Sequence, residues 1–247
     1  MRIARWNWIG GLCLAASLAA APALAQTKQQ SDWCVNNGEA FSPDLQIKGC
    51  TALIQANVGK NARQMAFAFK NRGDAYKDKA DYDRAIADYN EAIRIDPKFA
   101  IAFRGRALAT AVLKKDYNGS IPDFTEAIRL DPKYASAYSD RCLSRAIVGQ
   151  LQDALSDCDE ALRLGITDKA DALDNRGMTY FKLGRLDDAV RDFDAALALA
   201  PKTASSLYGR GVVKIRRGDT VGGNADVAAA KAIQADITEE MAGYGIK

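Results

Sequence analysis

A 34-residue beat constrains this chain more than any other feature of its sequence. Arg72-Gly73, Arg106-Ala107, Arg141-Cys142, Arg176-Gly177 and Arg210-Gly211 open near-identical segments that run from Ala66 towards the C-terminus. Counting Ala66 as position one, the eighth position reads Gly73, Ala107, Cys142, Gly177, Gly211, and the twentieth reads Ala85, Ser120, Ala154, Ala189, Gly223. Small residues recurring in two registers mark places where two helices touch. A period of this length is the signature of a helical solenoid, in which each unit buries its apolar face only against its neighbours.

The twenty-fourth position reads Tyr89, Phe124, Cys158, Phe193, Val227; the twenty-seventh is alanine five times, from Ala92 to Ala230; Pro97, Pro132 and Pro201 close three units. In this combination the chain resembles the tetratricopeptide repeat family over residues 66–237. The resemblance implies an all-α, right-handed superhelix of five helical hairpins, 66–99, 100–134, 135–169, 170–203 and 204–237. Apolar residues at three-to-four spacing support paired helices in every unit, for example Ala66 to Lys79 with Tyr82 to Ile95. Gly59 to Gln64 is read as a longer connection ahead of them.

Residues 1–25 carry Arg2 and Arg5, an apolar stretch and then Ala23-Leu24-Ala25, the pattern of a secretory signal cleaved before Gln26. An uncleaved anchor is the alternative, but Asn7 leaves a span short for a bilayer. Removing the segment lowers the basic count from 34 to 32 against 31 acidic residues. A net charge of +1 with interspersed signs argues against nucleic acid as a partner. The expected location is the periplasm or the exterior of a bacterial cell, with no membrane span in the mature chain.

Four cysteines remain after cleavage, in a compartment that permits disulfides. Cys34 to Cys50 and Cys142 to Cys158 are both sixteen apart, and the second pair occupies the eighth and twenty-fourth positions of its unit. These positions lie level on two antiparallel helices, so two structural bridges are expected, with four buried free thiols as the alternative. The first pair makes 26–65 a diverged N-terminal hairpin. Its second helix is expected from Pro43, behind an N-cap at Ser42. Asp236-Ile237-Thr238-Glu239 has capping-box spacing, so 238–247 is read as a short helix that covers the open end of the last repeat, followed by a flexible tail.

An arginine recurs at position seven and an aspartate at position twenty-three, from Arg72 and Asp88 to Arg210 and Asp226. They are read as structural pairs within each hairpin, since Trp33 and Gly49 replace both partners together in the diverged unit. Enzyme chemistry finds no purchase: the chain has no histidine, no nucleophile elbow and no phosphate loop. No metal site or cofactor is expected.

By the resemblance, the first helix of each hairpin lines a concave groove through positions two, five, nine, twelve and thirteen. That carries over to Lys70, Arg104, Leu108, Leu143, Ile147, Asp174, Met178, Phe181 and Tyr208, with Val112 also on the face. The groove is therefore expected to be apolar in its middle and charged at its N-terminal mouth, and an exposed apolar strip marks a binding surface. It stays open unless curvature or a returning C-terminal helix hides it. The family's clamp for chaperone C-termini is matched only by Lys70 and Asn71; Asp74, Ser136 and Ser139 break it. The function expected is a scaffold or adaptor of the bacterial cell envelope holding a protein or peptide partner. A promiscuous chaperone or carrier for unfolded chains or apolar ligands is the alternative.

Overall fold

The computed structural model describes residues 20–36, 40–56 and 61–247, with side chains from Lys28 onward except at 112–114. Of the segment 1–25 expected to be a signal, residues 1–19 lie outside the described residues, as do the side chains of the rest and of Val112. Thirteen helices make up the fold among those described. The first hairpin is α1 (Ala20–Val35) and α2 (Pro43–Gln55). Five further hairpins follow: α3 (Ala62–Asp78) with α4 (Tyr82–Ile95), α5 (Ala100–Lys114) with α6 (Tyr117–Leu130), α7 (Ala135–Ile147) with α8 (Leu151–Arg163), α9 (Lys169–Lys182) with α10 (Leu186–Leu199), and α11 (Ala204–Arg216) with α12 (Thr220–Ile233). A last short helix, α13, spans Ile237–Gly243.

Local chemistry sets the boundaries. Carboxylates of Asp81, Asp116, Asp168 and Asp219 accept main-chain N–H bonds at the starts of α4, α6, α9 and α12, satisfying donors that a helix cannot satisfy internally. Gly149, Gly165, Gly184 and Gly218 take positive φ just past α7, α8, α9 and α11, where a side chain is strained. Asp96 and Asp131 accept from the N–H of Lys98 and Lys133, and these turns carry the prolines between repeats. At α3 the sequence expectation fails by a turn. Asn61 caps Arg63 N–H at 2.9 Å, so the helix begins at Ala62 and the expected long connection shortens.

Each hairpin packs on the next, and α3, α5, α7, α9 and α11 also touch one another in series. The first helices therefore form the inner wall of the curve. Aromatic wedges fill the joints: Tyr89 and Phe193 are fully buried. A Cβ on Gly105 would lie 2.6 Å from the Tyr89 ring, and one on Gly209 would lie 2.5 Å from the Phe193 ring. The glycine at position six of the following repeat is thus required by the preceding ring.

The arginine and aspartate series is structural in every repeat. Arg72, Arg106, Arg141, Arg176 and Arg210 each donate through Nε and a terminal nitrogen to both carboxylate oxygens of Asp88, Asp123, Asp157, Asp192 and Asp226. The remaining nitrogen reaches back to the previous hairpin, to Thr51, Asn90, Thr125, Asp159 and Asp194 in turn. One side chain therefore closes its own hairpin and stitches it to its neighbour, in the bidentate geometry that guanidinium and carboxylate favour. In the diverged hairpin a Cβ on Gly49 would come within 2.7 Å of Trp33 Cβ, so direct helix contact replaces the ion pair. The sulfurs of Cys34 and Cys50 lie 2.08 Å apart and those of Cys142 and Cys158 lie 1.96 Å apart, bonding distance in both hairpins.

Candidate binding site on the concave face

The inner wall divides into an open N-terminal half and a covered C-terminal half. In the open half, α1 presents Lys28, Ser31 and Val35, and α3 presents Phe67. With Leu53, Gln64 and Asn71 they line a cavity of about 680 Å³. Val35 is 50% exposed, Phe67 37% and, on the neighbouring α5, Ile101 39%. The Phe67 ring leans on Phe99 with centroids 4.6 Å apart, so its exposed edge is held in place. The N-terminal mouth, expected to be charged, thus carries exposed apolar side chains as well.

Its charges are already engaged. Lys70 Nζ lies 2.6 Å from Asp74, which also accepts from the Tyr89 hydroxyl at 2.7 Å. Arg104 Nε donates to Asp140 at 2.5 Å, and its guanidinium lies over the Tyr134 ring. Burial pushes the Asp140 carboxyl above its usual range, and Arg104 counters this. Lys70 and Arg104, assigned to this face with Leu108 by the repeat register, are thus members of ion pairs, and Leu108 is half-buried.

The C-terminal half corrects the expectation. Asp174, Met178, Phe181 and Tyr208, expected to line an open groove, are all buried. The chain's own end covers them. From the concave side α13 packs on α11 and α12, and Ile237, Met241 and Ile246, none more than 1% exposed, join Met178, Phe181, Tyr208 and Val212 in one apolar cluster. Leu143 packs against its margin, and Ile147 lines a second cavity of about 510 Å³ between α13 and the start of α6, beside Tyr117 and Tyr244.

The final residues are also ordered, where the sequence suggested a flexible tail. Lys182 Nζ donates to the carbonyls of Ala146, Ile147 and Tyr244 at 2.6, 3.1 and 3.1 Å, and Arg216 donates to the Lys247 oxygen at 2.8 Å. The capping box of α13 does not form: Asp236 makes no side-chain cap. Glu240 instead accepts from Gln234 and from the Tyr244 hydroxyl. The outer face of α12 stays open, with Val221 84% exposed, because α13 turns inward. The repeat register had already put Lys182 on this face, whereas sequence reasoning missed Val35 and Ile246. The spacing of Ile237, Met241 and Ile246 was the available signal for the last.

No helix among the described residues is long and apolar enough to cross a membrane. No curated protein matches the chain in sequence. The tetratricopeptide repeat family profiles match residues 66–99 and 170–203. Among solved structures, the chain is similar to a tetratricopeptide repeat protein from Parabacteroides merdae ATCC 43184, at 15% identity and TM-score 0.67 over 90% of this chain and 88% of that one. It is also similar to YrrB, described as a TPR protein with an unusual peptide-binding site, at 23% identity and TM-score 0.56 over 77% and 94%. PilW, a type IV pilus biogenesis factor, aligns at 20% identity and TM-score 0.64 over 70% and 81%. With two repeats recognised in sequence and the same hairpin, ion pair and stacking between and around them, this chain is a tetratricopeptide repeat protein.

Proposed function

We propose that this protein is an exported interaction scaffold that holds a peptide segment of a partner protein in the open half of its concave face. The observation that carries the reading is the exposed apolar pair Val35 and Phe67 lining a cavity of about 680 Å³, with Ile101 also exposed on the neighbouring α5. Side chains of this size left open on an inner wall are candidate anchors for a partner. By the repeat register Leu108 belongs to the same strip, and polar groups of the ligand would meet Lys70 and Arg104 through their ion pairs with Asp74 and Asp140. YrrB, of like fold, is described with a peptide-binding site, which is consistent with this use of a solenoid.

Export is supported by the two bonded cysteine pairs, since disulfides persist in oxidising compartments, and by the signal pattern of residues 1–25. A bacterial cell envelope is the setting this favours.

The test is affinity capture from an envelope extract with the oxidised chain 26–247 beside its Phe67→Asp/Ile101→Asp variant. One protein retained by the first and lost by the second, at unchanged helicity, is the expected result. A broad mixture of unfolded proteins retained by the first would favour the chaperone or carrier. Equal capture by both would remove the binding site from this half of the face.

A further inference from the structure

The covered half of the concave face is occupied in the way a ligand would occupy it. Ile237, Met241 and Ile246 share one apolar cluster with Met178 and Phe181 of α9 and Tyr208 and Val212 of α11, and oxygens of the same segment meet Lys182 and Arg216. The fit is good in shape and poor in charge. Among the described residues Lys182 has no carboxylate partner and meets main-chain carbonyls only, and burial pulls its ammonium below its usual range. A carbonyl is a weaker acceptor for a cation than a carboxylate. Across the same contact, Glu240 of α13 faces Asp174, a fully buried carboxylate with no cation, held by Ser205 and Ser206.

The helix of this segment also has little stability of its own. It has seven helical residues and no side-chain cap, and short helices without caps gain little from their own backbone. Beside it lies the cavity of about 510 Å³. Gly245 takes a φ of +84° directly against Lys182, a geometry that lets the Tyr244 carbonyl approach the ammonium.

We propose that residues 237–247 are a tethered stand-in for a second ligand, and that the surface formed by Leu143, Met178, Phe181 and Tyr208 with Lys182 and Arg216 docks an amphipathic helix of another protein once the tail is displaced. The partner helix presents apolar residues spaced like Ile237, Met241 and Ile246, and a carboxylate where the tail offers the Tyr244 carbonyl. This goes beyond the scaffold reading, because it concerns the opposite half of the face and a gate on it.

Hydrogen exchange on the intact oxidised chain is the first arm of the test. Amides of residues 240–246 are expected to exchange at least about 100-fold faster than those of Val212 and Val213, through local opening. Exchange at the same rate as α11 would make the tail a permanent part of the core and overturn the proposal.

The second arm uses a labelled synthetic peptide of residues 235–247. It is added to a chain ending at Asp236 or, should that chain fail to fold, to the full chain with Met241→Ser and Ile246→Ser. Saturable binding at least about tenfold tighter than to the unaltered protein is expected, and equal or absent binding overturns the proposal. The peptide ended at Tyr244 is then compared as free acid and amide. The acid should bind tighter, and the difference should vanish with Lys182→Gln; equal binding removes the carboxylate from the proposal. Failure here leaves the Phe67 and Ile101 capture result untouched, so the two readings fall separately.

Discussion

The Arg141 guanidinium holds both carboxylate oxygens of Asp157, at 2.8 and 2.7 Å, one residue before the Cys142–Cys158 bridge. Two level cross-links therefore close the third repeat, one ionic and one covalent. Both partners of the ionic link are buried, and Arg145 adds a further bond to Asp157 at 2.7 Å. The pair sits at the centre of the solenoid, where hairpins on both sides exclude water.

Removing one partner should cost far more than the pair contributes, because a buried charge is left unopposed. Asp157→Ala is expected to destabilise the protein by about 3–5 kcal/mol, read as a lower urea midpoint at unchanged slope. Arg141→Leu combined with Asp157→Leu should recover much of that loss. A double variant as unstable as the single one would mean that the unopposed Arg145, and not Arg141, sets the cost.

Each disulfide closes a loop with a sequence separation of 16. A bridge across a loop of that size contributes about 3 kcal/mol, chiefly through the unfolded chain. Cys142→Ala with Cys158→Ala should lower the unfolding free energy by that amount while keeping the helical spectrum. Reductant, which opens the Cys34–Cys50 bridge as well, should lower the native protein by more than that amount. No response to reductant would show the sulfurs to be unbridged in solution.

Asp174 gives the stability a pH dependence of definite sign. Burial raises its carboxyl to about 6 from 3.8, with Ser205 and Ser206 of α11 opposing the shift and Glu240 of α13 adding to it. The folded state therefore binds this proton more tightly than the unfolded state, and stability from this group falls as pH rises from about 4 to about 6. Above that window the cost is on the order of 3 kcal/mol. Asp174→Asn should be more stable than the native chain at pH 7 and about equal to it at pH 4, measured by urea unfolding at several pH values. A pH-independent gap would mean that Asp174 does not titrate there.

Gly209 has no room for a methyl group against the Phe193 ring. Gly209→Ala should cost about 1–3 kcal/mol by overpacking, and Phe193→Leu in the same chain should relieve part of it. If Gly209→Ala melts like the native protein, the joint between the fourth and fifth repeats is looser than described.

Much of the fold was legible because it repeats. Positions eight, twenty-four and twenty-seven face a neighbour of the same design in every unit, so a single register read from Gly73, Tyr89 and Ala92 carried through the array. The arginine and aspartate pairs and the cysteine pairs followed from the same register, since level positions on two antiparallel helices must meet. The candidate site was less legible. Met178, Phe181 and Tyr208 were assigned to the inner wall by the repeat register, yet a wall position is open only if nothing else in the chain covers it.

Local periodicity, then, determined the helices, their pairing and the face each residue takes, because those depend on contacts within a repeat and its neighbour. The tertiary structure alone decided that α13 turns inward, burying Asp174 and ordering Ile246, and that the free apolar surface lies at Val35, Phe67 and Ile101. A segment outside the repeat has no register to obey. It goes where Ile237, Met241 and Ile246 leave water together, and that place exists only once α9 and α11 have assembled.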